Sequence, residues 1–128
     1  MNTSQQIFIA TDTEVAAADT EVDGTDFTSR QIKTKWARTG ILTCYIKGDN
    51  ASSSGDVVFT FVCYDPIRTT WDTVAYVTVT CALNATTAVQ KSITFYPDMY
   101  KLKLLSIANA DTTYKVVCNA SITMKEKS

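Results

Sequence analysis

Histidine is absent from this 128-residue chain. That excludes the serine–histidine and cysteine–histidine nucleophile pairs of many hydrolases, and any histidine-ligated metal site. Glycine and proline are scarce, at four and two residues, and the glycines are far apart. No glycine-rich phosphate cradle can be drawn from them. An excess of one charge is missing as well. Twelve basic residues against 13 acidic ones leave a net charge of -1, whereas gripping nucleic acid requires a basic surplus to neutralise phosphates. The same balance gives no polybasic attraction to a membrane surface. No run approaches the roughly 18 apolar residues of a spanning helix. The opening Met1-Asn2-Thr3-Ser4-Gln5-Gln6 lacks the basic start and apolar core of a signal peptide, so a conventionally secreted protein is not expected unless a leader has been removed.

What the chain does have is period-two alternation. In Val57–Tyr64 one face carries Val57, Phe59, Phe61 and Cys63. In Ala75–Cys81 one face carries Ala75, Val77, Val79 and Cys81, with Thr78 and Thr80 opposite. From Tyr114 to Met124, Val116, Cys118, Ala120 and Ile122 alternate with Lys115, Asn119, Ser121 and Thr123. An antiparallel sheet with one face on a core requires this pattern. Further strands are expected over Gln31–Trp36, Ile41–Lys47, Ser92–Tyr96 and Tyr100–Ile107. Gly48–Gly55, Asp65-Pro66-Ile67-Arg68, Asn84–Thr87, Pro97-Asp98 and Asn109-Ala110-Asp111 read as the connections. Abundant threonine suits the solvent face of strands. The predicted fold is all-β, an antiparallel β-sandwich or jelly-roll-like domain of about seven or eight strands.

Residues 12–26 differ in character. Asp12, Glu14, Asp19, Glu21, Asp23 and Asp26 occur there with no base. The expected division is an acidic N-terminal arm or edge segment over residues 1–30 and a sandwich domain over residues 31–128. An arm would lie on a neighbouring subunit. The short echo of Asp12-Thr13-Glu14-Val15 in Asp19-Thr20-Glu21-Val22 is too brief to define a repeat.

Cys44, Cys63, Cys81 and Cys118 each fall on an inward phase, so buried, reduced thiols are expected, with one or two disulfides as the alternative. A zinc site would need four thiols converging from four strands. The acids Asp49, Asp56, Asp65, Asp72, Asp98 and Asp111 are scattered over turns and read as turn formers rather than a facing catalytic pair. Asp19–Asp26 resembles half a calcium loop, with Gly24 in the turn, but the twelfth position from Asp19 is Arg30, where the loop needs glutamate. Asn2, Asn50, Asn84 and Asn119 each open an Asn-x-Ser/Thr triplet, which high threonine content produces by chance. Trp36, Tyr64, Trp71, Tyr76, Tyr96 and Tyr100 could form a sugar-stacking platform. The plainer reading has them packing core or interface, with Trp71 covering one end of the core. No catalytic, cofactor-binding or metal-binding residue is assigned.

The segment from Thr39 to Met124 resembles small β-sandwich virion proteins of tailed bacteriophages, of the capsid decoration or cement type. The resemblance lies in the strand Ile41–Gly48, a polar loop, the strand Asp56–Tyr64, a turn carrying Trp71-Asp72, the strand Thr73–Cys81, the aromatic-rich run Ile93–Leu102, and a final strand ending at Met124. It implies a non-enzymatic structural protein on a capsid surface. Such proteins form homo-oligomers, often trimers, and clamp neighbouring major capsid proteins through many weak contacts. The alternative class is a carbohydrate- or surface-binding module of a fibre or adhesin.

Overall fold

The computed structural model describes residues 4–34, 37–96 and 99–126. Ten strands run in the order β1 (Ser4–Val15), β2 (Thr20–Val22), β3 (Ile32–Lys33), β4 (Ala37–Gly48), β5 (Asp56–Asp65), β6 (Thr70–Trp71), β7 (Val77–Ala82), β8 (Ala88–Phe95), β9 (Lys101–Asn109) and β10 (Val116–Glu126). They form two antiparallel sheets. One has the order β1-β10-β4-β8. The other has the order β2-β9-β5-β6, with β3 also on β9 and β7 also on β5. The domain is a β-sandwich. Among the described residues, no helix is long and apolar enough to cross a membrane.

The core lies between the sheets and is built from the inward phases. Leu42, Cys44 and Ile46 of β4 face Val57, Phe59 and Phe61 of β5, together with Leu102, Leu104 and Ile107 of β9 and Val116, Cys118, Ala120, Ile122 and Met124 of β10. β-branched and aromatic side chains fill a pleated, half-buried surface well, and this is why these runs become strands. Gly40 sits opposite Phe95 in the β4–β8 ladder, and a Cβ there would collide with the Phe95 ring. The glycine lets that ring lie flat over the backbone at the sheet's end.

Of the two forms expected for the acidic N-terminal segment, an arm or an edge segment, the structure shows the edge, and the arm is corrected. Residues 4–15 form β1, which pairs with β10 from Ser4↔Lys125 to Val15↔Val116. Ile9, Ala10 and Val15 are buried in the main core, so the segment is an edge strand of the sandwich. Its sparse apolar residues suffice because only one face needs covering. Its acids meet bases of their own chain. Asp23 pairs with Lys103 at 2.9 Å, both largely buried, and Glu14 with Lys115 at 3.4 Å. The charge asymmetry that suggested a partner is thus partly neutralised within the molecule. Residues 23–30 run along β9 toward β1. Ser29 Oγ accepts the Leu104 N–H at 3.0 Å, and the Arg30 N–H donates to the Ile9 carbonyl at 3.1 Å. The expected strand over Gln31–Trp36 is present as Ile32–Lys33.

The end of the sandwich opposite Gly40 is closed by a buried polar clamp. Asn109 donates from Nδ2 to the carbonyls of Val15, Ala16 and Tyr114 at 3.4, 3.3 and 3.0 Å, while its Oδ1 accepts the Asp111 N–H at 3.0 Å. Asp111 in turn accepts the backbone N–H groups of Ser54, Thr113 and Tyr114 at 2.8–2.9 Å. Carbonyls and amides stranded at strand ends would otherwise be buried without partners, at a cost comparable to a lost hydrogen bond each.

Candidate functional site

The two ends of the sandwich differ. The clamp end is polar and internally hydrogen-bonded. The other end, where β5 finishes and β9 begins, carries exposed apolar side chains on its loops. Ile67 in the 66–69 turn is 88% exposed, Val74 in the 72–76 connection 78%, and Tyr96 after β8 72%; Tyr76 and Tyr100 are exposed there as well. The 66–69 turn is rigidly built. Asp65 Oδ1 accepts the Ile67 and Arg68 N–H groups at 2.9 and 3.3 Å, and Asp65 Oδ2 accepts Arg68 Nη1 at 3.0 Å. Pro66 presets the first central position of this turn. Arg68 thereby holds the Asp65 carboxyl below its usual range. An isoleucine is thus presented to solvent on a fixed loop, at a desolvation gain available only to a partner.

Three of the six aromatics considered for stacking come together beside this end. The Tyr64 and Trp71 rings meet edge-on at 5.1 Å, 69° between planes, and Tyr100 lies 6.2 Å from Tyr64. Lys101 Nζ sits 4.3 Å over the Tyr64 ring, and Lys103 Nζ 4.6 Å over Trp71. The rings are tilted and their faces are covered by lysines, so they do not make the flat platform a sugar would stack on. Trp71 packs on Tyr64 and under Lys103 and is not part of the core cluster, so it does not cover an end of the core as expected. Trp36, Asp98 and Asn2 lie outside the described residues.

The remaining candidates resolve into structural roles. The partial calcium loop spends its carboxylates on its own backbone: Asp19 accepts the Thr20 N–H, Asp26 the Val22 N–H, and Asp23 the Ser29 N–H beside its Lys103 partner. Partial burial, reinforced by Asp26 and Asp19, raises Glu21 above the usual carboxylate range. Cys44, Cys81 and Cys118 are buried thiols, and no disulfide joins the four cysteines. Burial pushes Cys118 up to about 12 and Cys44 higher still, with Cys81 adding like-charge repulsion to both. Asn50 lies in a turn, Asn84 at a bridge, and Asn119 inside β10. Among the described residues, no three acids or thiols stand together as a metal site.

A second surface was not foreseen in the sequence. A shallow groove of about 380 Å³ crosses the outer face of the four-stranded sheet, lined by Phe8, Thr43, Tyr45, Gln90, Asn119 and Ser121. The residues form two cross-strand rows, Phe8–Ser121–Thr43–Ser92 and Asn119–Tyr45–Gln90. The alternation of β4 and β10 marked these positions as outward. Their alignment needed the strand order, which alternation does not encode.

The edges of this sheet are guarded. β1 carries two register irregularities, between Phe8 and Ala10 and between Ala10 and Thr13, with Asp12 at φ 45°. β8 pairs regularly with β4, but Lys91 occupies an inward phase opposite Cys44, and its Nζ reaches the Thr80 carbonyl of β7 at 3.4 Å. Bulges and an inward-directed lysine both discourage edge-to-edge pairing.

No family model and no curated protein sequence matches the chain. Solved structures do resemble it. A chain of infectious bursal disease virus, Gx strain, superposes with a TM-score of 0.55 at 12% identity over 98% of this chain. Tripeptidyl peptidase 2 gives 0.58 at 12% over 94%, and a structure described as CBM4 gives 0.51 at 15% over 83%. The chain spans 32%, 10% and 64% of those three chains, respectively. At such identities the likeness concerns the fold, and it is the β-sandwich fold that the chain shares with them.

Proposed function

We propose that this chain is a non-enzymatic structural protein of a virus particle, of the capsid decoration or cement type that its Thr39–Met124 segment resembles. It docks through its apolar end onto copies of itself and onto a shell protein. The observation that carries the reading is the concentration of exposed apolar side chains at one end, led by Ile67 and Val74 on structured loops, while both edges of the four-stranded sheet are guarded against strand addition. Association is thereby directed to loops rather than to edges. Each contact is small, and affinity on a repeating shell comes from multiplying weak contacts. Buried, reduced thiols suit synthesis in a host cytoplasm. The same fold class also occurs in a chain of infectious bursal disease virus.

The test is rebinding to particles. Particles that carry the chain, banded on a density gradient, should hold it together with a shell protein. A chain with Ile67→Asp and Val74→Asp, added to particles depleted of it, should remain at the top of the gradient while the unmodified chain rebinds. Recovery of the unmodified chain only in the soluble fraction would contradict the proposal.

A further inference from the structure

We propose that the groove on the outer face of the four-stranded sheet is a binding site for a neutral oligosaccharide, separate from the docking end. The argument rests on what lines it. Phe8, 60% exposed, is a large apolar ring left in solvent on an edge strand, and Tyr45 stands on β4 in the adjoining row. Around them are only amides and hydroxyls: Gln90, Asn119, Thr43, Ser121 and the neighbouring Ser92.

No acid or base lines the groove. An ionic ligand would shed hydration there against lining residues that carry no charge, the Asp12 carboxylate beside them being hydrogen-bonded to Asn119. A wholly apolar ligand would bury the amides and hydroxyls without partners. A neutral sugar satisfies both conditions, since its C–H faces stack on rings and its hydroxyls both donate and accept.

Part of the polar lining is already positioned. Asn119 Oδ1 accepts the Asp12 N–H at 2.8 Å and its Nδ2 faces Asp12 Oδ1 at 3.3 Å, which fixes the amide. Thr43 and Ser92 hydroxyls are hydrogen-bonded at 2.8 Å. The side chains of Tyr45, Gln90 and Ser121 make no hydrogen bond to the other described residues, so their polar atoms are available. The row from Phe8 to Ser92 crosses four strands, about 14 Å at ordinary strand spacing, enough for a short glycan segment.

Affinity electrophoresis through gels containing dextran, mannan, galactomannan or mixed-linkage β-glucan tests this. The chain should be retarded by at least one of them, and added salt should leave the retardation unchanged. Phe8→Ala and Tyr45→Ala should each raise the dissociation constant by about three- to tenfold, with circular dichroism unchanged. The Ile67→Asp, Val74→Asp chain should be retarded as the unmodified chain is, which separates this site from the docking end. Absence of retardation in all four gels, retardation that salt abolishes, or retardation that both groove variants retain would overturn the proposal.

Discussion

At the scale of single residues, the polar clamp and the buried thiols make the sharpest statements. Asp111 accepts three backbone N–H groups, and these hold its carboxyl below the usual range. A folded pKa below the unfolded value of about 3.9 adds stability at pH values above that unfolded pKa. That contribution disappears as pH falls through the folded pKa. The unmodified chain should therefore lose stability more steeply on acidification below about pH 4 than Asp111→Asn does, measured by urea midpoints across pH. Parallel pH profiles would show that Asp111 does not act as a carboxylate. The thiols offer a second check. Thiolate is the reactive form, and burial keeps Cys44, Cys81 and Cys118 protonated at neutral pH. Native protein should label at no more than one cysteine with a thiol reagent, and all four should label after unfolding without reductant. The inward phase of the cysteines was readable from alternation alone. The clamp was not. Asn109 and Asp111 looked like ordinary turn residues, because Asn109 donates to the carbonyl of Val15 in β1, 94 residues away, and Asp111 accepts the N–H of Ser54, 57 residues away.

At the scale of elements, alternation located the strands well wherever one face is apolar and the other polar. β4, β5, β7, β9 and β10 begin and end within a few residues of their expected bounds. β1 could not be told from an arm because its bulges break the period, putting Ile9 and Ala10 in the core side by side. The two-residue β6 is set by the turn before it, and no hydrophobic period can mark so short a strand. The consequence for β1 is testable. Deleting residues 1–15 strips Ile9, Ala10 and Val15 from the core and leaves the β10 edge open. The truncated chain should be insoluble or lack a cooperative unfolding transition. A folded truncation with unchanged strand content would restore the arm reading. Within the remaining strands, Phe59→Ala, Phe61→Ala and Val116→Ala, all fully buried, should each cost about 2–5 kcal/mol in chemical denaturation. Gly40→Val should displace Phe95 and destabilise the β4–β8 end of the sheet.

At the scale of the whole molecule, the fold separates three tasks. One end is sealed by Asn109 and Asp111, the edges of the four-stranded sheet are protected by bulges and by Lys91, and the other end presents Ile67, Val74 and Tyr96. The lack of histidine excludes histidine-based catalysis, yet composition could not show this polarity, which depends on which loops share an end. Ile67 did carry a signal, as an apolar residue within a segment otherwise read as a polar turn, whereas Val74 was expected inside the strand Thr73–Cys81 and lies before β7 instead. Their exposure is affordable in a monomer only as isolated side chains, whereas a cluster marks a contact surface. The central claim is that this end drives association, and sedimentation velocity across a concentration series tests it most directly. The unmodified chain should sediment as a species that grows in mass with concentration, and the Ile67→Asp, Val74→Asp chain should remain a monomer of 14.1 kDa throughout. An unmodified chain that stays monomeric at every concentration, or a variant that associates equally well, would contradict the account.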